Sequence, residues 1–308
     1  MREALARAGG VAARGAVEQR AREPVAHPFA SARVLEGARM AALPVGDAHP
    51  APDGSGFVDG IQRLVVDGHY GLVPVIRGHV AAAVLERVDG VLSAVATEFE
   101  EFLVVPVRRL SAPQHTALEQ VGLAVYDSDP GARPHPIVDR YAALQVIERR
   151  RERAELAAAG AFLRARPGGW LFRDGSIGGL AALPGGDRVV GLVKSHETQF
   201  LDGEDLVVAL TLPEGCRSGV FERIEEGRRP MLTWYLRLWP WSELDLLHGL
   251  MRVERCPGDH VIAEAGDVSR WLLAERTPIS APDARWDRLI YPIHEVEMYL
   301  RARVGGWG

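Results

Sequence analysis

The sequence predicts a mixed α/β protein, with strand-forming runs on both sides of one long helix and further helices at the end. Three observations lead to this. Residues 57–66, 71–85 and 102–107 are apolar, β-rich runs joined by short polar turns. Residues 137–166 contain no proline and one glycine, Gly160, among Ala, Leu, Glu and Arg. Beyond residue 170, short apolar runs recur before two stretches of helical pattern.

In chain order, residues 1–24 carry mixed charge and predict an amphipathic helix rather than a secretory signal; if a partner docks there, Ala4, Leu5, Val11 and Val17 are the expected contacts. Residues 43–55 are rich in Pro, Gly, Asp and His and predict a loop, so residues 1–55 are a helical segment with a linker and 56–308 the main domain. The first three runs predict an antiparallel meander, with helix as an alternative over 80–85, where alanines dominate. The long helix ends at Pro167-Gly168-Gly169. Strands are expected over 170–173, 189–194, 219–224, 231–239 and 250–254, then helices over 260–275 and 286–304.

A chain of 308 residues with 47% hydrophobic content can bury a sizeable core. Its net charge of -5 argues against a basic coat for unspecific nucleic-acid binding. Cys216 and Cys256 form no CxxC pattern, which points to a reducing cytoplasm. No run approaches the roughly 20 apolar residues of a membrane span, so a soluble protein is expected.

One residue stands apart. Of 36 Lys+Arg, 35 are arginine; Lys194 is the single lysine. An ammonium is a compact point charge that can sit beside one phosphate oxygen, which a planar guanidinium does less well. Asp59 and Asp174 each sit on or at the end of an apolar run and precede a glycine, in Val58-Asp59-Gly60 and Arg173-Asp174-Gly175-Ser176. Carboxylates held on strands suit Mg²⁺ or Mn²⁺, hard ions that take oxygen ligands. Either Asp-Gly could equally be a turn signal. On the long helix Glu148, Glu152 and Glu155 fall at i, i+4, i+7 and share a face; a solvated face explains this as well as a ligand does. Glu152, the central one, is the expected ligand, with Glu148 and Glu155 as alternatives. His196 would share a face with Lys194 if its strand continues. Arg63 and Trp234 are candidate substrate contacts, Trp234 by base stacking or else as core. Ser176 lacks a Gly-x-Ser-x-Gly context and reads as a turn residue.

The order of these motifs resembles the NurA nuclease family: an Asp-Gly strand, a helix glutamate, a strand ending Asp174-Gly175-Ser176, and the segment Gly191-Leu192-Val193-Lys194. Further on, Thr233-Trp234-Tyr235-Leu236-Arg237-Leu238, Met251-Arg252-Val253-Glu254 and Tyr291-Pro292-Ile293-His294 are similar to later segments of that family. The resemblance spans about residues 56 to 304. It implies an RNase H-like mixed sheet with flanking helices and a metal-dependent DNA nuclease acting as a homodimer. It further implies a HerA-like hexameric ATPase as partner, in end processing or in defence against foreign DNA. Asp59, Asp174 and Glu152 would hold Mn²⁺ or Mg²⁺, and Lys194 would face the scissile phosphate. Two departures accompany it. The first motif reads Asp59-Gly60-Ile61 where the family commonly has Asp-Gly-Ser, and Glu297 stands roughly where the family has its later histidine, so His294 and Glu297 compete. The alternative is a non-catalytic adaptor of the same fold. The chain has no G-x-x-x-x-G-K-[ST] segment, so ATP-driven motion would come from the partner.

Overall fold

A computed structural model describes residues 31–129, 135–196, 198–224, 227, 229–242, 244–276 and 290–304. The expected N-terminal helix over 1–24, with Ala4, Leu5, Val11 and Val17, lies outside the described residues, as do 286–289 of the expected last helix. The chain forms two compact units. The first comprises Met1–Ser55 and Gly168–His294, the second Gly56–Pro167 and Glu295–Gly308. The segment before residue 56 is therefore more than a linker. It carries β1 (Ser31–Val34) and β2 (Ala42–Pro44), which pair with later strands of the first unit.

The second unit is built on the expected meander. β3 (Ser55–Tyr70), β4 (Val73–Val88) and β5 (Val91–Val105) follow one another, and β6 (Ala124–Asp127) joins β5 in parallel. Residues 80–85 are strand, not helix: Val80 to Val84 are fully buried within β4, which pairs with β5 from Ile76↔Val104 to Val88↔Val91. Sheet pairing overrides the helical preference of the alanines. Strand alternation then divides the apolar side chains between two faces. Ile76, Val80, Phe102 and Val104 pack on Ala143, Val146 and Ile147 of α2 (Pro136–Ala165). Val75, Leu103 and Val105 pack on Leu118 of α1 (Ala112–Glu119). Pro136 opens α2 at a position where a missing N–H costs nothing, and Arg166-Pro167 closes it.

In the first unit the strand order is β1, β10 (Phe221–Ile224), β11 (Met231–Arg237), β12 (Leu250–Arg255), β8 (Val189–Val193), β7 (Leu171–Asp174). β9 (Cys216–Ser218) pairs with β2 and, through Arg217 opposite Leu236, with β11. The neighbours are antiparallel except β7 and β8, which are parallel. Phe221, Tyr235 and Leu250 pack with Phe200 and with Ala209 of α3 (Gly203–Leu210). On α4 (Val261–Ala274), Trp271 meets Trp170 and Phe172 edge-on at ring-centroid distances of 4.9 and 6.5 Å. Arg237 is wholly buried and donates to the carbonyls of Leu210, Leu212, Leu246 and His248. Burial lowers its pKa to about 10, so it remains charged and ties α3 to the 239–249 loop. α5 (Tyr291–Arg303) ends the described chain, and no described helix is long and apolar enough to cross a membrane.

Candidate active site

Because β7 and β8 run parallel, from Leu171↔Val189 to Asp174↔Leu192, their C-terminal ends fall at one edge. Lys194 follows β8 directly. Its Nζ donates to Asp174 Oδ2 at 2.8 Å. The two side chains keep 30% and 33% of their exposure, enough for a substrate to reach both. Among the described residues none hydrogen-bonds Asp174 Oδ1, so that oxygen is available as a donor to a cation. Two residues singled out separately in the sequence, 20 positions apart, thus meet here.

The turn after Asp174 is tied to the neighbouring strand. Gly175, at φ +100°, donates its N–H to Leu192 O at 2.8 Å and accepts from Leu192 N–H at 3.1 Å. This contact requires glycine at 191, where a Cβ would lie 2.8 Å from Gly175 O and 2.9 Å from Ile177 Cγ2. Gly191→Ala is expected to destabilise the chain by about 1–3 kcal/mol through overpacking. Urea unfolding measures this, and an unchanged midpoint would count against so close an approach.

Beneath the turn lies Glu254, fully buried on β12 opposite Gly191. Its Oε2 accepts from Ser176 Oγ at 2.6 Å and from Ile177 N–H at 3.3 Å. Its Oε1 pairs with Arg252 and lies 3.6 Å from Arg223 Nε. Burial alone would raise its pKa, but the two guanidiniums and the Ser176 hydroxyl outweigh burial and hold the carboxyl below its ordinary value. Glu254 is therefore a charged support already saturated with partners. Ser176, as its context indicated, is a hydrogen-bonding turn residue.

In the second unit Asp59 lies on β3, where its Oδ1 accepts from Gly60 N–H at 2.8 Å. A Cβ on Gly60 would lie 2.6 Å from Glu155 Oε1 and 3.1 Å from Arg151 Cγ, so the glycine leaves room for the helix acid. The three helix acids differ in burial: Glu155 is buried against β3 and paired with Arg151, whereas Glu148 and Glu152, the expected ligand, are exposed. The face of α2 is set by Ile147, Ala158 and Phe162, and only near the strand's glycines does the acidic stripe pass beneath it. Among the described residues no group of three or more His, Cys, Asp or Glu is placed to hold a metal ion.

No protein-family model matches this chain, and no curated protein does. Among solved structures it is similar to the crystal structure of the NurA nuclease from Sulfolobus solfataricus, at 13% identity and a TM-score of 0.45. That likeness covers 88% of this chain and 82% of the other.

The remaining expected residues are spread more widely. β8 ends at Val193, so His196 does not continue Lys194's face; its Nε2 meets Leu250 O at 3.2 Å and its ring faces Tyr235 at 6.0 Å. Burial holds its pKa below the ordinary value, partly offset by the Leu250 carbonyl. Trp234, an expected substrate contact, is instead wholly buried core, with its indole N–H on Ser269 Oγ at 3.0 Å. Alternation along β11, a strand buried throughout, leaves it no exposed face. Arg63 is exposed on β3. His294 is half-buried in the first turn of α5, and Glu297 accepts from Arg301 one turn on at 2.6 Å. Burial raises the pKa of both cysteines, consistent with inert thiols. Sequence reasoning gave Glu254 no role. Its signal was an Arg and an acid two apart within the apolar strand Met251-Arg252-Val253-Glu254.

Proposed function

We propose that this chain is a divalent-metal-dependent DNA nuclease that works as a homodimer with a HerA-like hexameric ATPase in the cytoplasm. One observation carries the reading: a reachable carboxylate and the ammonium of the chain's single lysine, 2.8 Å apart at the C-terminal edge of two parallel strands. Sites in α/β sheets favour that edge. Mg²⁺ and Mn²⁺ commonly use one or two carboxylates, with water and substrate phosphate completing the shell. The donor chemistry here suits that open kind of site. At this edge Asp174 is the acid that would hold such an ion. When bound, such ions supply Lewis-acid activation of water and of the phosphate.

The chain's own residues do the rest. Lys194 places a fixed positive charge where negative charge builds on the scissile phosphate, a role that needs position and no proton transfer. Asp174 holds that ammonium in place before substrate arrives. The buried carboxylate of Glu254 accepts from Ser176 and Ile177 in the turn that follows Asp174.

The test is cleavage of plasmid and linear DNA by the purified full chain with Mn²⁺ or Mg²⁺. Activity that falls about a hundredfold in Lys194→Met is the expected result. Absence of cleavage with any divalent ion, with or without the ATPase, overturns the reading in favour of a non-catalytic adaptor.

A further inference from the structure

We infer that the Ser176–Glu254 hydrogen bond positions the Asp174–Lys194 pair, making Ser176 and Glu254 positioning residues for the reaction; as a statement about catalysis this rests on the nuclease reading. The residues after Asp174 are anchored on two strands at once. Gly175 exchanges both its backbone bonds with Leu192 of β8. Ser176 and Ile177 both bind the same oxygen, Oε2, of Glu254 on β12, and the Ser176 carbonyl accepts from Arg173. β8 lies between β7 and β12 in the sheet and leads directly into Lys194. A single buried carboxylate thus fixes the turn that presents Asp174, beside the strand that presents Lys194.

The Ser176 bond is charge-assisted and short, and Glu254 is held by Arg252 and Arg223 independently of it. Removing the hydroxyl therefore loosens the turn while leaving the ion cluster in place. Displacements of about 1 Å at a reacting group cost up to about a hundredfold in rate.

The composition supplies a readout independent of catalysis. Because Lys194 is the only lysine, reductive ¹³C-methylation labels it and the chain's α-amino group alone, and it preserves the charge. Asp174→Asn fixes the resonance position of the unpaired ammonium. Ser176→Ala is expected to move the Lys194 signal part of the way there. It should also lower kcat about tenfold with KM within twofold, and Ser176→Thr should restore both. A Lys194 signal in Ser176→Ala identical to the parent's overturns the inference, whether or not the chain cleaves DNA. Absence of cleavage by the parent, with the Lys194 signal still moved by Ser176→Ala, overturns the nuclease reading alone and leaves the positioning of the pair standing.

Discussion

Asp174→Asn is expected to lower metal-dependent DNA cleavage by about a hundredfold to a thousandfold while leaving the fold intact. The two halves of that expectation have separate causes. Asp174 and Lys194 each keep about a third of their exposure, and ion pairs of that kind contribute only about 0–1 kcal/mol to stability. The substitution is also nearly isosteric, so the turn at Gly175 keeps its bonds to Leu192. Catalysis is another matter, because asparagine removes both the negative charge offered to a cation and the partner that holds Lys194. If the two residues act as one unit, Asp174→Asn combined with Lys194→Met is expected to be little slower than either alone. Lys194→Arg should recover little, since a guanidinium fork does not reproduce a point ammonium. Full cleavage by Asp174→Asn would remove this edge of the sheet from the reaction.

The largest effect on stability is expected at Glu254. Glu254→Gln keeps a similar shape and an oxygen for Ser176 but removes the buried anion that Arg252 and Arg223 share. Breaking a buried ion cluster in this way costs about 3–5 kcal/mol, measurable by urea unfolding at neutral pH. The pH dependence follows from the direction of the shift. The folded carboxyl lies below its ordinary value of 4.5. Its stabilisation is therefore complete above that pH and is lost as the pH falls through the lower folded value. The gap between parent and variant should accordingly narrow in acid. A variant as stable as the parent at neutral pH would mean that the two arginines find other acceptors.

Much of this is legible in the amino-acid sequence. The long helix could be read from thirty residues almost free of glycine and proline, and β7 and β8 from short apolar runs bounded by turn residues. A lone lysine among arginines and an Asp-Gly-Ser after a strand drew attention to two residues that do touch. Such signals are local, carried by propensity and by residue type, and a sequence expresses them directly.

Other features depended on phase and register. The first half of β5, Val91 to Phe99, is interrupted by Ser, Thr and Glu and becomes strand through its pairing with β4. Of three glutamates on one helical stripe, Glu155 is buried because Gly60 lets α2 approach there. Trp234 goes into the core because β11 is covered along its whole length. Glu254 supports the Asp174 turn because β12 pairs with β8 in the register that sets it opposite Gly191. Residue types and their near neighbours set which positions carry charge and where the long helix and the apolar strand runs fall, since those properties are local. Tertiary structure alone decided which carboxylates are sequestered by arginines and which remain reachable, because desolvation and ion pairing depend on what folds over a side chain from elsewhere in the chain.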